Sequence, residues 1–115
     1  MIKVVWLLKR APHLSLAEFR VWWLDNHIHM IVELQKPYLQ KYTVNVRVDE
    51  DLLPGKPAEE PEWDGCAEQW FATEADFTAV YGSTDVTPSR SDTLKHVSRF
   101  QRLIVEEHEI AVKTS

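Results

Sequence analysis

Residues 2–9, IKVVWLLK, are apolar at most positions, and the run stops at Arg10-Ala11-Pro12. A short stretch rich in β-branched and large apolar residues predicts a strand. LSLAEF, 14–19, then announces a helix. Ser15 and Glu18 have the spacing of a capping box, and Leu14 and Phe19 stand at the two positions of a hydrophobic staple. The helix is expected from about Leu16 to Gln35, because Pro37 forbids its continuation. LQKYTVNVRV, 39–48, alternates well enough for a second strand, and DGCAEQWFAT, 64–73, for a third. EADFTAVYG, 74–82, reads as a short helix ending at Gly82. Thr87-Pro88 is a cap followed by a first-turn proline, which predicts a second helical piece over 88–97. FQRLIVEEHEIAV, 100–112, closes the series as a fourth strand.

The order is β-α-β-β-α-β. This predicts an α+β, ferredoxin-like domain over residues 1–115, with an antiparallel sheet and its helices on one face. The first strand adds a constraint. Ile2, Val4, Trp6 and Leu8 fall on one face and Val5 and Leu7 on the other, so both faces are apolar. Helices cover only one of them. A second copy of the same sheet is the simplest cover for the other, so a homodimer is expected.

Composition narrows the partners. The formal net charge of −5 argues against a general nucleic-acid or anionic-membrane binder, which needs a basic surface. The apolar run Val4–Leu8 is too short to span a bilayer, and no secretory leader pattern opens the chain. A lone cysteine, Cys66, excludes an internal disulfide and any multi-cysteine metal site, and a reducing cytoplasm is the default location. Cys66 has no basic neighbour in sequence and reads as a packing residue. Residues 49–62 hold three prolines, one glycine and six acids against one lysine, the composition of a solvated surface loop.

Chemistry concentrates in VWWLDNHIHM, 21–30. Phe19, Trp23, His27 and Ile31 recur at every fourth position and so share a helical face, with His27 as the polar interruption of a buried stripe. Two readings stay open: a core histidine with both nitrogens satisfied, or an imidazole at the floor of a cavity, able to move protons near neutral pH. His29 lies about 200° from His27 around the helix, so the pair does not chelate one metal, and no metal site is expected. Glu68 and Trp70 share a face of the third strand, with Phe71 on the other. A mid-strand carboxylate needs a partner, and Glu68 is a candidate to orient His27, with Trp70 a candidate ligand wall. Tyr42 and Asn45 point to opposite faces of the second strand, so one of them lines a given pocket, and Asn45 is favoured for a carbonyl or hydroxyl contact. His96 ends the second helical piece, either as a capping residue or facing a ligand.

Trp23-x-x-x-His27 after a capped helix start resembles the W-x-x-x-H of the EthD family. MIKVVWLLKR at the start, KYTVNV, DGCAEQWF, EADF and EEHEI follow in the family's order, so the resemblance covers nearly the whole chain. It departs in IHMIVEL, where a proline often follows the histidine closely, and in the length of the 49–62 loop. The resemblance implies a dimeric α+β barrel with a ligand cleft between sheet and helices, and His27 in that cleft. It implies three functional readings. The first is a cofactor-free enzyme in which His27 does acid–base chemistry (isomerisation, cyclisation, elimination or decarboxylation) on a hydrophobic phenolic or carbonyl metabolite held between Trp23 and Trp70. The second is a non-catalytic binding protein for a partner oxidase. The third is a haem-binding monooxygenase with His96 as axial ligand.

Overall fold

The computed structural model describes residues 1–49, 60–82 and 87–113. The chain runs β1 (Ile2–Arg10), α1 (Leu16–Val21), a π-helical segment (Trp22–His27), α2 (Ile28–Gln35), β2 (Leu39–Val46), β3 (Gly65–Phe71), α3 (Glu74–Tyr81), α4 (Thr87–His96) and β4 (Val97–Val105). The strands form one antiparallel sheet in the order β2-β3-β1-β4. This is the ferredoxin-like arrangement expected from the element order. Of the 49–62 loop, residues 50–59 lie outside the described residues.

The local signals act as their chemistry requires. Ser15 Oγ accepts from the Glu18 amide at 3.0 Å, and Glu18 returns a carboxylate to the Ser15 amide at 2.9 Å. Leu14 packs against the cluster that contains Phe19, which completes the staple. α2 ends at Gln35, just ahead of Pro37. The expected single helix is instead α-helical at both ends and π-helical between them.

The core has two parts on the helix-covered face. Phe19, Trp22 and Trp23 meet Leu8, Ala67 and Val97 in one, and Val80 meets Val4 and Phe71 in the other. Trp6 packs against both, at the seam where the site described below opens. Each large side chain buried here contributes roughly 1.5–3 kcal/mol, so the two tryptophans anchor the first helical region to the sheet.

β4 starts at Val97 and stops at Val105, earlier at both ends than the expected 100–112. The Ala11 amide donates to the His96 carbonyl at 2.9 Å, so the chain passes from α4 straight into the sheet. Val105 pairs with Lys3 near the start of β1, and beyond it no neighbouring strand remains to pair with. His108 therefore lies outside the sheet, exposed beside Glu106.

The other sheet face is mixed rather than plainly apolar. Val5 and Leu7 are half-buried there, beside a polar group in which Lys3 Nζ lies 2.7 Å from both Glu68 and Glu107. At the end of the sheet, fully buried Asp64 receives Arg10 Nη1 at 2.6 Å, Arg47 Nε at 3.0 Å and the Arg10 amide at 2.8 Å. This buried ion cluster joins the ends of β1 and β2 to the entry of β3. Among the described residues no helix is long and apolar enough to cross a membrane.

Candidate functional site

The site begins with the π segment. In a regular α-helix each i+4 step advances about 40° around the axis, so a stripe of four such residues drifts off its face. The Ile28 amide donates to the Trp23 carbonyl, five residues back, and this wider turn takes up the drift. Phe19, Trp23, His27 and Ile31 are consequently all buried. The same turn brings Trp22 onto His27, with ring centroids 4.7 Å apart. Residues five apart on an α-helix would lie about 140° from each other.

α4 supplies the partner for the imidazole. His27 Nδ1 lies 2.8 Å from Asp92 Oδ2, and Trp22 Nε1 donates to that same oxygen at 3.1 Å. With the carboxylate accepting, the proton of neutral His27 sits on Nδ1 and Nε2 carries the lone pair. Thr93 Oγ1 is 3.4 Å from Nε2, but its hydroxyl donates to the Ser89 carbonyl at 2.9 Å. Burial pushes the His27 pKa below its ordinary 6.5, and Asp92 only partly offsets this. The imidazole is thus neutral near pH 7, oriented, and basic at Nε2.

His27 lines a cavity of about 430 Å³ between the sheet and the helices, within the size range of small-molecule sites. Trp6, Leu8, Trp23, Ala67 and Phe100 supply apolar wall, Tyr42, Gln69 and Tyr81 polar wall, and Arg90, Thr93, Leu94 and Arg102 complete it. Gln69 is fully engaged: its Oε1 accepts from Trp6 Nε1 at 2.9 Å and from the Tyr81 hydroxyl, and its Nε2 donates to Gln35 at 2.7 Å. Burial raises the Tyr42 phenol to about 12, which keeps it protonated and able to donate a hydrogen bond.

Of the residues singled out from the sequence, His27, Trp23 and Tyr42 come together around this cavity. The others do not. Glu68 does not orient His27: it lies on the opposite sheet face, paired with Lys3 and accepting from Thr43 at 3.0 Å and Asn45 at 3.1 Å. Lys3 first, and these hydrogen bonds after it, hold its carboxyl below the usual range. Trp70 is on that face too, with Lys3 and Lys41 each 4.7 Å from its ring centre and its Nε1 donating to Glu107. It is no wall of the His27 cavity. Asn45 shares this face, donating to Glu68 and the Cys66 carbonyl, so the choice between Tyr42 and Asn45 goes to Tyr42. Strand alternation separated the pair; which member faced the helices depended on register.

His96 stacks on Trp22 at 4.5 Å and 11°, and its Nδ1 donates to the Asp92 carbonyl at 2.7 Å. It does not line the His27 cavity. Sequence reasoning missed Trp22, Asp92, Gln69, Tyr81, Arg90 and Arg102. Asp92 and His96 stand one helical turn apart, a faint signal, but nothing local ties either to His27.

The sequence matches none of the curated proteins. Its fold is similar to that of an EthD family protein from Bacillus halodurans (17% identity, TM-score 0.67, covering 94% of this chain and 100% of that one). It is also similar to a dimeric ferredoxin-like protein of unknown function from Thermobifida fusca (13% identity, TM-score 0.62, covering 90% and 88%). A third likeness is to SnoaB, a cofactor-independent oxygenase from Streptomyces nogalater (10% identity, TM-score 0.63, covering 96% and 98%). At such identities these likenesses speak for the fold alone. The EthD domain pattern itself matches residues 11–108, and the chain belongs to the EthD family.

Proposed function

We propose that this protein is an enzyme whose own side chains carry acid–base chemistry on a flat phenolic or carbonyl-bearing metabolite, with His27 as the base. The observation that carries this reading is the 2.8 Å contact of His27 Nδ1 with Asp92 in a side chain that lines the cavity. The carboxylate fixes the tautomer, and the Thr93 hydroxyl, 3.4 Å from Nε2, already donates to the Ser89 carbonyl, which supports an Nε2 free to take a proton. In the chemical step Nε2 takes a proton from an acidic C–H or O–H, and the electron pair moves onto the ligand oxygen. The protonated Tyr42 phenol stands in the same wall to donate a hydrogen bond to that oxygen. Returning the proton elsewhere on the ligand gives isomerisation, and loss of a leaving group gives elimination. One well-placed general base contributes roughly 10²–10⁴-fold. The fold is shared with a cofactor-independent oxygenase, which fits chemistry done without a resident cofactor.

We place this activity in a cytoplasmic homodimer whose interface is the helix-free sheet face. Half-buried Val5 and Leu7 on that face, and a dimeric relative of the same fold, support the assembly.

The test is proton exchange. Bicyclic aryl ketones, incubated with the protein in deuterated buffer, should exchange a C–H proton alpha to the carbonyl at a rate that His27→Gln lowers by about 10²-fold or more. The variant should melt within a few degrees of wild type. Exchange that survives in His27→Gln at the wild-type rate defeats the reading.

A further inference from the structure

Arg90, from α4, and Arg102, from β4, both line the His27 cavity. Arg102 lies in register with Trp6 and places its guanidinium carbon 5.7 Å from the Trp6 ring centre and 5.9 Å from that of Phe77. Among the described residues neither arginine has a carboxylate partner. Arg10 and Arg47, by contrast, both hold Asp64 and Glu60, and Arg99 holds Glu62. Among the described residues the cavity lining contains two guanidinium groups and no aspartate or glutamate, in a chain whose net charge is −5.

The remaining polar wall offers these cations only neutral acceptors. Gln69 is saturated by Trp6, Tyr81 and Gln35, and Asp92 faces Trp22 and His27. Both arginines are exposed, and a neutral apolar ligand would offer their N–H donors no acceptor. A guanidinium lying over an aromatic ring keeps its N–H donors in its own plane, free for a bidentate acceptor.

We propose that the cavity selects a planar aromatic carboxylate. Its ring lies along Trp6 and Trp23, and its carboxylate is held by Arg102 and Arg90. This deepens the proposed function and rests on that reading for the choice of cavity. The two lining guanidiniums also draw such an anion toward an otherwise acidic protein.

The test is calorimetric titration of the full chain with 3-hydroxy-2-naphthoate and, separately, with its carboxamide, which has nearly the same shape and no charge. The carboxylate should bind about ten-fold or more tightly than the amide, the scale of one charge-assisted pair. Arg102→Gln should erase that preference by weakening the carboxylate far more than the amide, and Arg90→Gln should reduce it. Arg102→Lys, which keeps the charge but not the fork, should fall between and serves if the glutamine variant folds poorly. Equal affinity of the wild type for both probes, or a preference untouched by both arginine variants, overturns the proposal. His27→Gln separates this outcome from the catalytic one. It should keep the carboxylate preference, and an arginine-dependent preference in a protein that exchanges no ligand proton would sustain the anion site while removing the enzyme reading.

Discussion

Asp92 Oδ2 sits 2.8 Å from His27 Nδ1 and accepts the Trp22 indole at 3.1 Å, so one carboxylate oxygen orients two buried rings. Replacing the carboxylate by a carboxamide tests what this does. The amide would present either its nitrogen or a neutral oxygen, and an N–H directed at Nδ1 moves the imidazole proton to Nε2. Asp92→Asn should therefore fold and bind ligand but lose about 10²–10⁴-fold in proton-transfer rate. Single-turnover kinetics beside a melting curve would separate the two, and an unchanged rate would leave Asp92 as packing only.

The pH dependence follows from the direction of the His27 shift. Burial holds its folded pKa below 6.5, so the neutral base persists below the ordinary histidine range. Turnover should fall on an acid limb whose midpoint lies under 6.5. The unfolded chain takes up this proton first. The stability that His27 contributes above 6.5 is thus lost as pH drops through that value toward the folded pKa. His27→Gln should remove this increment of acid sensitivity from a melting-temperature profile, and an identical profile would show that the residue does not titrate.

Gly65 is a structural requirement of the cavity wall. A Cβ there would lie 2.7 Å from Trp23 Cζ3 and collide with the Asn45 carbonyl oxygen. Gly65→Ala should cost about 1–3 kcal/mol and weaken ligand binding by displacing Trp23. Denaturant unfolding and probe titration together check both effects.

Asp64 is fully buried among Arg10, Arg47 and the Arg10 amide. Removing the charge leaves the two guanidiniums with Glu60 alone and the Arg10 amide without its acceptor, so Asp64→Ala should destabilise by about 1–3 kcal/mol, measurable by urea unfolding. A loss under about 1 kcal/mol would mean the cluster is a solvated surface feature.

The dimer has its own test. Leu7→Asp puts a charge on the helix-free face and should turn a sedimenting dimer into a monomer at micromolar concentration. A wild-type monomer under those conditions removes the interface altogether.

Much of the fold was legible in local chemistry. Ser15 and Glu18 cap a helix wherever they stand at that spacing, Pro37 ends it, and strand alternation puts Phe71 and Trp70 on opposite faces. The burial of Trp23 and His27 was legible for the same reason, since periodicity is a property of the chain itself. Tertiary structure decided the rest. Which of Tyr42 and Asn45 faces the helices, and that Glu68 pairs with Lys3 instead of His27, follow from strand register, set by partners far away in sequence. The histidine's partner is 65 residues distant on α4, and a π turn no wheel diagram contains swings Trp22 beneath it. Side-chain type told where chemistry was available; only packing between the first helical region, α4 and β4 decided which groups meet. A hydrogen bond needs about 3 Å, and nothing local in the chain fixes a distance between segments so far apart.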